Sequence, residues 1–77
     1  MIVTLYSKPG CHLCDDARAL LEDLAAEIAF ELDEVDIRDD VDVFERYRYR
    51  IPVIAVNGRE AIEGRIEAVE LAAALGV

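Results

Sequence analysis

The spacing of apolar positions changes several times along the chain. It begins with a short, β-branched run, Ile2-Val3-Thr4-Leu5-Tyr6, that reads as a buried strand closed by Pro9-Gly10. From Cys14 the period lengthens. Cys14, Ala17, Leu21, Leu24 and Ile28, with Leu20 and Ala25 beside them, follow the three-to-four spacing of one helix face, which predicts a helix reaching Ile28. Residues 30–37 carry strand signals, and a break in alternation between Leu32 and Val35 predicts an edge strand. Asp39-Asp40 offers N-capping oxygens to a short helix ending near Tyr47, which would bury Val43 and Phe44 or Tyr47. Ile51 to Val56 is a second buried-strand run, with a proline near its start. Asn57-Gly58 predicts a tight hairpin, so Arg59 to Ile62 pairs back antiparallel. Gly64 breaks that strand. A final helix over about 66–75 is expected to pack Ile66, Val69 and Ala73 and to stop before Gly76.

The resulting order is βαβαββα. Its strand-helix-strand opening demands parallel neighbours joined by a right-handed crossover, and the hairpin adds an antiparallel arm. The expected architecture is therefore α/β, with four mixed strands and helices on the sheet faces. At 77 residues the chain is one domain, residues 1–77, and its 55% apolar content is sufficient for collapse.

Charge narrows the functional classes. The formal net charge is −9, which argues against nucleic acid and anionic membrane partners, since both require basic surface. Residues 15–45 hold thirteen of the seventeen acids and only Arg18 and Arg38 as bases. The cluster Arg46-Tyr47-Arg48-Tyr49-Arg50 is too small in so acidic a chain to read as a nucleic-acid site. Apart from Arg50, just before Ile51-Pro52, it is expected at a helix C-terminus, where cations suit the dipole, neutralising the acidic 33–45 run. Neither a secretory signal nor a membrane span is read, so a cytoplasmic location is expected; a monomer is the expected state.

The candidate chemistry lies in Ser7-Lys8-Pro9-Gly10-Cys11-His12-Leu13-Cys14, which holds both cysteines and the single histidine. A bridge between cysteines three apart closes too short a loop to stabilise the fold appreciably. A zinc site would need four ligands, and the stretch supplies two cysteines and His12, so no metal is expected. Strand, Pro-Gly turn, Cys-x-x-Cys and helix form the context of a redox pair. Cys11 falls at the first helical turn, where unpaired N–H groups and the macrodipole favour a thiolate. Cys14, one turn on, falls on the inward stripe. Cys11 is thus the candidate nucleophile and Cys14 the resolving thiol. Asp15 and Asp16 oppose the thiolate, at about 0.5–0.7 kcal/mol each in water-like dielectric. Lys8 and protonated His12 favour it, so activation is expected mainly from local N–H donation, with a modest pKa depression.

Tyr6 to Cys14, Ile51-Pro52 opening the third strand, and Asn57-Gly58 followed by Gly64 resemble the glutaredoxin family within the thioredoxin superfold, across essentially the whole chain. Closest in appearance are small bacterial glutaredoxin-like proteins of undefined role. The resemblance implies a thioredoxin-like fold, with strand order 2-1-3-4 and three flanking helices, and thiol–disulfide oxidoreductase activity. It further implies a cis Ile51–Pro52 bond presenting the Ile51 N–H and C=O beside Cys11 to an extended substrate. Lys8, His12, Leu13, Arg50, Ile51, Pro52 and Gly64 become the candidate substrate-binding residues, with Arg50 at the rim to grip a carboxylate. Implied partners are a protein or small-molecule disulfide, with glutathione or a thioredoxin reductase as electron source. No bound cofactor is expected. Three positions depart from the family pattern. His12-Leu13 replaces Pro-Tyr, Arg50 replaces the threonine before Ile51-Pro52, and Gly64-Arg65-Ile66-Glu67 keeps one glycine of two, with Glu for Asp. Glutathione is therefore only half supported as co-substrate. The readings outside the enzyme class are a non-enzymatic thioredoxin-fold binding module and a glutathione-ligated iron–sulfur carrier.

Overall fold

Strand β1 (Ile2–Ser7) runs parallel to β2 (Glu31–Asp36) and antiparallel to β3 (Val53–Val56), which pairs in turn with β4 (Arg59–Glu63). The computed structural model describes residues 1–77 and places these strands in the order β2-β1-β3-β4. β2 is thus an edge strand, as its broken alternation predicts. Helices α1 (His12–Ala25), α2 (Val41–Tyr47) and α3 (Ala68–Ala74) complete the chain, with a 3-10 turn over Ile37–Asp39 before α2. No helix is long and apolar enough to cross a membrane.

The period-2 geometry of the strands sorts their side chains to two faces. Val3 and Leu5 of β1 and Ile54 of β3 meet Ala17 and Leu21 of α1 and Leu71 of α3 in the larger core, joined by Ile66 just before α3 and Leu75 just after it. On the other face Val53 packs with Ile37 and Tyr47, with Tyr6, Val43, Phe44 and Ile51 around them. Helices α1 and α3 therefore cover one face and α2 the other.

Local chemistry accounts for most boundaries. Asp40 caps α2, its Oδ1 accepting from the Val43 N–H at 3.0 Å. Asn57 and Gly58 both adopt positive φ, 51° and 83°, as a two-residue hairpin turn of the primed type requires.

Two boundary expectations are corrected. Helix α1 stops at Ala25, short of Ile28, because the Glu27 and Ile28 N–H groups both turn back to the Leu24 carbonyl, each at 3.0 Å. Ile28 still packs on the core, from outside the helix. In the last helix Val69 is 77% exposed and Ala73 is also exposed. Ile66 precedes the helix and so does not share its phase; Leu71 and Leu75, four apart, set the buried face.

Candidate active site

The β1–α1 junction builds the site. Gly10 enters it at φ 81°, a conformation most side chains resist. Cys11 then takes an extended conformation and acts as the N-cap of α1, its Sγ accepting from the Cys14 N–H at 3.2 Å. The cap is thus the sulfur itself. Cys11 and Cys14 form a disulfide, with Cα atoms 5.2 Å apart. Cys14 is fully buried and Cys11 half-buried, so the two sulfurs differ in access as the helical stripe predicts. His12 and Lys8 are exposed; Leu13 is half-buried. No three His, Cys, Asp or Glu side chains converge into a set that could hold a metal ion.

Beneath the junction lies a polar brace. Ser7 lies inward with Val3 and Leu5 and is only 3% exposed; its hydroxyl donates to Glu34 Oε2 at 2.8 Å. Arg18 donates to both oxygens of the same carboxylate, at 2.7 and 2.5 Å, and to Asp15 Oδ1 at 2.8 Å. The Arg18 guanidinium, followed by the Ser7 hydroxyl, holds the Glu34 carboxyl below its ordinary pKa, and Glu34 and Asp15 raise that of Arg18. Asp15 therefore does not oppose Cys11 as a bare charge. Ser7, Arg18 and Glu34 stand outside the sequence-derived set of site residues. A serine in register with inward Val3 and Leu5 was the one signal of a buried polar partner.

Pro52, Ile51 and Gly64 do come together. The Ile51–Pro52 bond is cis, and the Pro52 carbonyl accepts from the Gly64 N–H at 2.9 Å. The expectation that Ile51 offers both N–H and C=O to a substrate is corrected, because its N–H donates to the Tyr47 carbonyl at 3.1 Å. Only the carbonyl is left for such pairing.

Arg50 is also placed differently from expectation. Its guanidinium contacts Glu60 and meets Glu63 Oε1 at 2.8 Å, which keeps both carboxyls below their ordinary pKa. The cause is a one-residue irregularity in the β3–β4 ladder. Val53 pairs with Glu63, Ile54 with Ile62 and Ala55 with Glu60, so Ala61 is the extra residue. That bulge puts Glu60 on the same face as Glu63, facing α2. There Tyr47 stacks on Tyr6, with ring centroids 4.3 Å apart, and its hydroxyl donates to Glu60 at 3.0 Å. Of the neighbouring bases, Arg48 reaches back to Glu45 at 3.6 Å. Arg50, expected at the rim to grip a substrate carboxylate, is instead paired with the β4 carboxylates.

A model of the glutaredoxin-like domain (DUF836) matches residues 2–76. The X-ray structure of a structural-genomics target protein from X. campestris is 38% identical, with a TM-score of 0.78 over 95% of this chain and 93% of that one. The solution structure of a Nitrosomonas europaea protein is 30% identical, with a TM-score of 0.76 over 92% and 86%. Thioredoxin 1 from Thermosipho africanus superposes with a TM-score of 0.71 over 97% and 90% at only 10% identity, a likeness of fold alone. A thioredoxin-like sheet order, a Cys-x-x-Cys at the head of α1 and a family match over nearly every residue agree with one another, and the chain belongs to the glutaredoxin-like domain family.

Proposed function

We propose that the protein is a thiol–disulfide oxidoreductase acting through Cys11 and Cys14. The observation that carries this reading is the unequal access of two sulfurs at bonding distance, the outer one capping a helix and accepting an N–H. In the reduced state the Cys11 thiolate attacks one sulfur of a substrate disulfide. The substrate S–S bond breaks, the first substrate thiolate leaves and takes up a proton, and a mixed disulfide forms on Cys11. Cys14 then loses its proton and attacks Cys11 Sγ, displacing the second substrate thiolate and closing the internal disulfide. The substrate gains two electrons and the protein loses two. Either two glutathione molecules or a thioredoxin reductase returns them.

Lys8, His12, Leu13, Ile51, Pro52 and Gly64 are the proposed groove residues. Arg50 supports that groove through β4, because its charge is already matched by Glu60 and Glu63. Lys8 is then the cation for a glutathione carboxylate, while Glu67 at the family's Asp position keeps an acid there. Loss of one of the family's two glycines and of Pro-Tyr between the cysteines favours protein disulfides over glutathione adducts as substrates.

A coupled assay comparing glutathione plus its reductase with thioredoxin reductase identifies the electron source. Cys11→Ser is expected to abolish turnover with either one. Full activity in that variant would overturn the assignment.

A further inference from the structure

Two adjoining hollows of about 440 and 250 Å³ lie between α1 and α3 and share Leu20, Asp23 and Ala68. Together they form one open groove running about 16 Å along α1 from Leu13 to Leu24, at ~1.5 Å per residue. Its floor is apolar, with Leu20 and Leu24 half-buried and Leu71 buried. Its near end is Leu13, one of the two residues between the cysteines, so the groove begins beside the Cys-x-x-Cys turn.

The rim is acidic. Asp16, Asp23, Glu27 and Glu67 line it, all exposed, against the single base Arg65. Of the seventeen acids, only Asp15, Glu34, Asp36, Glu45, Glu60 and Glu63 meet an arginine. None of the four rim carboxylates does. An apolar trough edged by unmatched negative charge is complementary to a chain that alternates aliphatic and cationic side chains.

We propose that this groove docks a lysine- or arginine-bearing, aliphatic segment of the protein whose disulfide is exchanged at Cys11. The inference rests on the thiol–disulfide reading above and names its substrate class. Leucines of the segment seat on Leu20 and Leu24, and its cations meet Asp23 and Glu27 at the far end.

Single-turnover kinetics with the pre-reduced protein test it without any reductase. Three probes are used: hydroxyethyl disulfide, and two peptides carrying a cysteine–mercaptoethanol disulfide followed by a leucine–lysine or a leucine–glutamate segment. At low salt the lysine peptide is expected to react about tenfold faster than the glutamate peptide, a difference that shrinks in 1 M salt. Asp23→Lys/Glu27→Lys should reverse the preference and leave the hydroxyethyl disulfide rate unchanged. Equal rates for the two peptides, or a preference that survives the charge reversal, would overturn the proposal. If no disulfide reacts at all, the redox reading has failed instead. The groove is then judged by amide shifts with the serine analogue of the lysine peptide. Shifts at Leu20 and Leu24 support docking, and their absence refutes it.

Discussion

Around Cys11 the decisive residues are Asp15 and Arg18. Asp15 is one helical turn away, about 6 Å along the axis, where a bare carboxylate would cost a thiolate about 0.7 kcal/mol in water-like dielectric. Arg18 bonds that carboxylate at 2.8 Å and is itself anchored on Glu34. In the reduced protein, Arg18→Gln should raise the Cys11 pKa by about 0.5 unit, the pKa equivalent of unmasking Asp15. Adding Asp15→Asn to that variant should bring the value back. Thiolate absorbance against pH reads both, and a Cys11 pKa that ignores Arg18 would show that the brace has only a mechanical role. The Asp15–Arg18 spacing was visible in the sequence; the Glu34 anchor was not, because it depends on β2 lying beside β1.

The elements follow local rules except where tertiary register intervenes. Asp40 is a plain N-cap, and Asp40→Ala should cost about 1 kcal/mol in a urea unfolding midpoint. A loss near zero would mean that packing of Tyr47 and Phe44 alone holds α2. The element order, the edge position of β2 and the Asn57-Gly58 turn were legible because each has a local chemical signature. The end of α1 was not, since Ala25-Ala26-Glu27 contains neither glycine nor proline to mark a stop. The buried face of α3 was misread because Ile66, Val69 and Ala73 have helical spacing, although Ile66 precedes the helix. The β4 bulge at Ala61 was invisible too, and it decides where Arg50 points.

At the scale of the whole molecule, the site is a junction of thiol chemistry, a polar brace and a neighbouring acidic groove. The redox pair was legible from one stretch and its flanks, and the family from that stretch together with Ile51-Pro52, Asn57-Gly58 and Gly64. The brace and the groove needed α1, α3 and β2 to be placed side by side. Acid stability ties these parts together. Glu34, Asp36, Glu60 and Glu63 all have folded pKa values below the ordinary value, chiefly through hydrogen bonds from arginines. A depressed folded pKa contributes stability above the unfolded value that is lost as pH falls through the folded one. Urea midpoints are therefore expected to hold between pH 7 and about pH 5 and to fall below about pH 4.5. Because these pairs are largely solvent-exposed, each contributes little. A midpoint that rises on acidification would mean that relief of the −9 self-repulsion outweighs the ion pairs.

The proposed division of labour between the sulfurs makes one measurement the most direct. Reduced Cys14→Ser protein mixed with a disulfide substrate should accumulate a mixed disulfide, visible by intact mass and mapped by peptide mass to residue 11. Cys11→Ser should accumulate none under the same conditions, because buried Cys14 is out of reach. An adduct on Cys14, or equal trapping in both variants, would contradict the assignment of Cys11 as nucleophile.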